Sequence, residues 1–224
     1  MSKTVFKGFH QAVVFDVETT GLDPRKDRIV SIAAVMVDFS GPATKQLRRI
    51  YHVVNPGIPI PQDASRIHGI YNRHVKRNSP FKEFAKEIVE FFGDSPIIGY
   101  NVNFDVGFLN AELMRAGEKP VTNPKYCAMY GMHRILNKIG NPVEGLNIEK
   151  AAKIVGLRAR SSEIHNADED VNTTIFIAEW IWNYHNDFDL WCWKKPSKYF
   201  LETLPNWVYI VAVAVVISFF VWLL

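Results

Sequence analysis

The run Val13-Val14-Phe15 is apolar, and Asp16, Val17 and Glu18 then alternate polar with apolar, the pattern of a strand that leaves a core and ends at a polar rim. Thr19 to Pro24 reads as the turn. Ile29 to Val37 and Leu47 to Val54 are two further β-rich runs, and the short spacing between the three suits an antiparallel meander. Asn55 to Pro61 is a proline-punctuated loop. Phe81, Phe84, Ala85, Ile88, Val89 and Phe92 recur at helical spacing until Gly93-Asp94, and Pro96 to Tyr100 reads as a buried strand. A second helix begins near Asn103, carries Phe108, Leu109 and Leu113 in its body, and ends at Gly117 and Pro120. Short helices are expected around Ala128 to Leu136 and Ile148 to Val155. A last one presents Val171, Thr174, Ile175, Ala178 and Ile181 on one face.

The final stretch, Trp207 to Leu224, is uncharged throughout, and a helix of that length rises about 27 Å, close to the hydrocarbon thickness of a bilayer. Trp207 and Trp222 sit near its two ends, as in an interfacial aromatic belt, and Lys194, Lys195 and Lys198 precede it on the side that the positive-inside rule places in the cytoplasm. A valine-rich core strand or helix is the competing reading. The pattern therefore predicts a globular domain over 1–185, a Trp/Lys-rich juxtamembrane linker over 186–206, and a transmembrane tail anchor over 207–224. The expected location is a membrane, with the domain facing the cytoplasm and lipid contacted through the tail.

Composition narrows the picture only modestly. The 224 residues, 48% apolar and 22% charged, describe an ordinary globular chain with room for one sizeable core, and exclude a disordered or collagen-like class. Cys127 and Cys192 form neither a zinc-ligand spacing nor a disulfide framework, and no secretory signal opens the chain. The net charge of +3 is weak support for a polyanionic partner, but Arg66, Arg73, His74, Lys76, Arg77 and Lys82 crowd one stretch.

Candidate chemistry lies in the acids. Asp16 and Glu18 are two apart on a strand, so both side chains leave the same face and can share a cation; solvated rim charge is the alternative. Asp105 falls at a helix start, where a carboxylate also suits the helix dipole. His165 and Asp170 are five apart, about 140° on a continuous helix, so they cannot share a face if both are helical. His165 in a loop, with Asn166 or Asp168 capping the last helix and Asp170 in its first turns, reconciles them.

Three segments, VFDVETTGLDP (14–24), GYNVNFDVGFL (99–109) and HNADED (165–170), resemble in order and spacing the three motifs of the DEDDh, or DnaQ-like, 3′-5′ exonucleases, the family of ribonuclease T and the epsilon proofreading subunit. IHGI (67–70) is similar to that family's substrate segment. The resemblance covers Val13 to Ala178. It implies an α/β fold of the ribonuclease H-like type, a central mixed five-stranded sheet flanked by helices. It further implies Asp16, Glu18, Asp105 and Asp170 as ligands of two divalent metal ions, Mg2+ with Mn2+ as substitute, and His165 as general base. Thr20, Gly21, Leu22, His68 and Phe104 would grip the 3′-terminal nucleotide. The implied activity is hydrolysis at single-stranded or frayed 3′ ends, DNA favoured, releasing 5′-mononucleotides. RNA 3′-end trimming and a catalytically silent nucleic-acid-binding module are the alternatives, and a homodimer is left open. The chain departs from relatives at Tyr100, where a histidine commonly precedes the asparagine of the second motif, and in 125–134, which lacks the threonine or aspartate often found near the fifth strand.

Overall fold

The computed structural model describes residues 10–41, 43–157 and 164–185. Five strands form one sheet: β1 (Gln11–Thr19), β2 (Ile29–Asp38), β3 (Lys45–Val53), β4 (Ile97–Gly99) and β5 (Lys125–Cys127), in the spatial order β3-β2-β1-β4-β5. β1, β2 and β3 are the antiparallel meander that the alternating pattern predicts, with Asp16 opposite Ala33 and Glu18 opposite Ser31. β4 lies parallel to β1 and β5 parallel to β4, so the sheet is mixed.

The period of two along β1 sorts its side chains between two cores. Val13, Phe15 and Val17 pack with residues of α3 (Ala85–Phe92) and α4 (Val102–Ala116). Ala12 and Val14 face the opposite side, where α5 (Ala128–Lys138), α6 (Ile148–Ile154) and α7 (Ala167–His185) contribute Met132, Ala151 and Val171 among others. Asp16 and Glu18 continue this second face past the end of the apolar run. Two short helices, α1 (Gln62–His68) and α2 (Asn72–Val75), occupy a segment in which the apolar pattern signals no element. Both are brief, and α1 buries only Ser65 and His68, so no apolar stripe marks it.

The ribonuclease H-like α/β architecture expected from the resemblance is present, but the transmembrane helix expected with it is corrected. Among the described residues no helix is long and apolar enough to cross a membrane. The longest described helix, α7, has 19 residues but carries Asp168, Glu169, Asp170 and Glu179, each costly in hydrocarbon. The expected linker (186–206) and tail (207–224) lie outside the described residues. By its internal contacts the chain divides into Met1–Cys192 and Trp193–Leu224, and the described residues all belong to the first unit.

Candidate active site

The polar end of β1 sits where the sheet loses a neighbour. β4 pairs with β1 only through Val13–Ile97 and Val14–Ile98, so beyond that point β1 has no strand on this side. Asp105 fills the gap: its Oδ1 accepts a hydrogen bond from the Val17 N–H at 3.3 Å. The approach depends on Gly99 at the end of β4, where a Cβ would lie 3.0 Å from Val102 Cα and 3.3 Å from Asp105 Oδ2. The chain turns there into α4, and Asp105 lies in its first turn.

From the other side α7 delivers Asp170. Asn166 precedes the helix, its Oδ1 accepting from Asp168 N and its carbonyl from Asp170 N, both at 2.9 Å, so Asn166 fills the capping role that either Asn166 or Asp168 could hold. His165 is therefore in the loop, and the 140° conflict disappears. A further tether joins β3 to α7, as Arg49 pairs with Asp168 and bonds Asn172.

Asp16, Glu18 and Asp170 each offer an oxygen within 4.8 Å of the others. Asp105 lines the same cavity, of about 440 Å³, together with Phe104 and His165, but stands outside that triplet. Glu18, Asp105 and Asp170 are buried and Asp16 half-buried. Burial pushes the Asp105 carboxyl up to about 7, with the Val17 N–H opposing the shift. Carboxylates gathered this closely repel one another, and hard oxygen donors are what a divalent cation such as magnesium takes. The donor set fits such an ion.

His165 is held at three points. Its N–H donates to the Ile67 carbonyl at 2.7 Å, Nδ1 lies 3.2 Å from Asp170 Oδ2, and Nε2 lies 3.0 Å from Glu149 Oε1. The Ile67 bond ties this loop to the end of α1. There Gly69 has φ +69°, and a Cβ on it would meet Ile164 Cγ2 at 2.8 Å.

Of the remaining expected site residues, Phe104 lines the cavity, whereas Thr20, Gly21, Leu22 and His68 do not. Thr20 is buried, its Oγ1 accepting from Arg28 N and donating to Asp27. Gly21 closes over the Asp27 carboxylate, to which a Cβ would come within 2.5 Å. Leu22, on the same loop, is 85% exposed. His68 is buried, its Nδ1 accepts from Ile70 N at 3.1 Å, and desolvation lowers its pKa. Phe104 is half-buried against Phe108, with ring centroids 4.9 Å apart.

Four wall residues that sequence reasoning did not single out are Met129, Leu146, Asn147 and Glu149. Tyr100 also lines the wall, and its hydroxyl donates to the Leu146 carbonyl at 3.2 Å, linking the end of β4 to the approach of α6. Asn147 caps α6 by accepting from Lys150 N, which a sequence reader could have taken as a helix-start signal.

Comparison with known proteins agrees with this geometry. The RNase T family model, described as an exonuclease, matches residues 13–178. The chain is 30% identical over 163 residues to the 3′-5′ exonuclease DinG of Bacillus subtilis (strain 168), covering 72% of this chain and 16% of that protein. It is 41% identical over 104 residues to the DNA polymerase III subunit epsilon of Rickettsia felis, covering 45% of this chain and 43% of that one. In fold it is similar to E. coli Exonuclease I solved with a dT13 oligonucleotide, at a TM-score of 0.66 and 22% identity over 78% of this chain and 41% of the other. The chain thus spans less than half the length of each of these proteins.

Proposed function

Because the chain belongs to the RNase T family of DEDDh exonucleases, we propose that it is itself a 3′-5′ exonuclease that releases 5′-mononucleotides from nucleic-acid 3′ ends, with single-stranded DNA as its first substrate. The observation that carries this reading is the convergence in one cavity of Asp16, Glu18, Asp105, Asp170 and His165, drawn from β1, α4, α7 and the loop before α7. Single-stranded DNA is favoured because one solved structure of similar fold, E. coli Exonuclease I, is in complex with a dT13 oligonucleotide.

Asp16, Glu18 and Asp170, with Asp105 beside them, would hold two divalent cations, magnesium first. Those ions supply Lewis-acid polarisation of the scissile phosphate and charge neutralisation. His165 accepts the proton of the attacking water, whose oxygen forms the new bond to phosphorus. The bond from phosphorus to the 3′-oxygen breaks, and that oxygen takes a proton from solvent. Leu22 stands exposed at the rim as an apolar wedge for the terminal base, and Phe104 offers a π face that tolerates any base. Low sequence specificity follows.

A time course on 5′-labelled DNA and RNA strands, with magnesium or a chelator, tests the reading. We expect magnesium-dependent ladders shortening from the 3′ end, abolished in the Asp16→Ala, Asp170→Ala double variant. Digestion retained by that variant refutes the assignment, and absence of digestion by the folded wild type points instead to a binding module.

A further inference from the structure

The hydrolytic reading leaves one side chain of the cavity wall without a task. Glu149 lies in the first turn of α6 and directs Oε1 to 3.0 Å from His165 Nε2. The helix that carries it is fixed in place rather than loosely draped. Tyr100 donates through its hydroxyl to Leu146 O and accepts at its own carbonyl from Met129 N at 3.0 Å, while the Asn147 cap starts the helix one residue later. α6 also packs against α7. The partner of the imidazole is thus anchored independently of the loop that carries His165.

The two ring nitrogens face different surroundings. Nδ1 is turned toward Asp170, a member of the carboxylate cluster, whereas Nε2 is turned toward Glu149, outside it. A carboxylate oxygen at each ring nitrogen, from Asp170 at Nδ1 and from Glu149 at Nε2, fixes the rotation of the imidazole. A base oriented by a third group is a recurring design of proton-transfer sites.

We propose that Glu149 is a positioning residue of the exonuclease reaction, which holds the His165 ring in the orientation from which it takes the proton of the attacking water. This rests on the hydrolytic reading above. Glu149 stands outside the carboxylate triplet and acts through His165. Tyr100 contributes at one remove, by holding the approach of α6 against the end of β4.

The test compares kcat and KM of the full chain and its variants on a 5′-labelled single-stranded oligonucleotide with magnesium, in the sugar type that the wild type digests. Glu149→Ala is expected to lower kcat about 10- to 100-fold, the range typical of groups that orient a reacting shell, with KM changed less than about threefold. Glu149→Gln, whose amide oxygen still accepts from Nε2, is expected to recover most of the loss. The deciding measurement is a double-mutant cycle. In a His165→Ala background the further change Glu149→Ala should alter kcat less than about twofold, because the partner it orients is gone, whereas a merely structural role would cost as much in either background. Wild-type kcat in Glu149→Ala, failure of the glutamine to rescue, or an undiminished cost in the His165→Ala background overturns the proposal. An active wild type with any of these outcomes removes the proposal alone; a wild type that digests neither strand removes the hydrolytic reading and the proposal with it.

Discussion

Removing divalent cations should make the stability of this protein fall as pH rises through the weakly acidic range, and Asp105 is the group responsible. Its carboxyl is buried, and although backbone N–H groups of Val17 and of Asp105 itself oppose the shift, desolvation pushes its pKa from 3.8 up to about 7. Between those values the folded protein binds more protons than the unfolded chain, so the slope of unfolding free energy against pH is negative. The contribution is fully present below pH about 4 and lost by pH about 7. At about 1.4 kcal/mol per unit, the rise from 3.8 to about 7 corresponds to at most about 4 kcal/mol. That is a large fraction of the roughly 5–15 kcal/mol by which domains are stable. Urea unfolding in chelator from pH 4.5 to 8, for the wild type and Asp105→Asn, isolates the effect. Asparagine keeps an acceptor for Val17 N–H and does not titrate, while Glu112 and His68, whose pKa values burial also shifts, are common to both proteins and cancel. The stability of the wild type relative to the variant should decline across the window by up to about 3 kcal/mol. At pH 8, magnesium at about 100 times its dissociation constant should return about 2.7 kcal/mol to the wild type. A difference that stays constant within about 0.5 kcal/mol across this range refutes the reasoning, because it would mean that Asp105 is ionised at little cost without a cation.

Three further outcomes follow from single contacts. Leu22→Ala should leave the unfolding midpoint unchanged within about 0.5 kcal/mol, since the side chain is 85% exposed, while raising KM for single-stranded DNA several-fold; an unchanged KM removes Leu22 from the base-contacting rim. Gly69→Ala should destabilise by about 1–2 kcal/mol in urea unfolding, from its φ of +69° and the 2.8 Å approach to Ile164, and should slow digestion by displacing the loop of His165; a neutral substitution contradicts the coupling of α1 to that loop. Tyr100→Phe removes the donor to the buried Leu146 carbonyl and should cost about 1–3 kcal/mol by thermal unfolding, with a smaller change showing that the approach of α6 is held by other contacts.

What the sequence disclosed is what local periodicity can carry. The alternation from Val13 to Glu18 defined β1, its polar end and the shared face of Asp16 and Glu18 before any tertiary information, because a period of two is a property of the backbone. The conflict between His165 and Asp170 likewise located the start of α7, since two residues 140° apart can converge only if one is outside the helix. β5 has three residues, too few to display alternation, and α1 begins after Pro61 with polar residues. The tail shows what a length rule alone carries: an uncharged run of 18 residues satisfies it, while among the described residues no helix is long and apolar enough to cross a membrane.

Glu149 marks where legibility ends. Its placement at a helix start is locally unremarked, because an acid in a first turn is already accounted for by the helix dipole. The bond from Tyr100 to Leu146, across 46 residues, and the packing of α6 on α7 place that helix end beside His165. Tyr100 stands where relatives commonly show histidine, so this chain sets a phenol, rather than an imidazole, against the wall that carries the partner of its base. The acids of the cleft and the partner of the base thus answer to different physics. The acids follow from spacing along β1, α4 and α7, and burying one of them is costly, as the raised Asp105 pKa records. The orientation of the base depends on how α6 is anchored, which leaves no trace in hydropathy and is accessible only to a double-mutant cycle at the two side chains concerned.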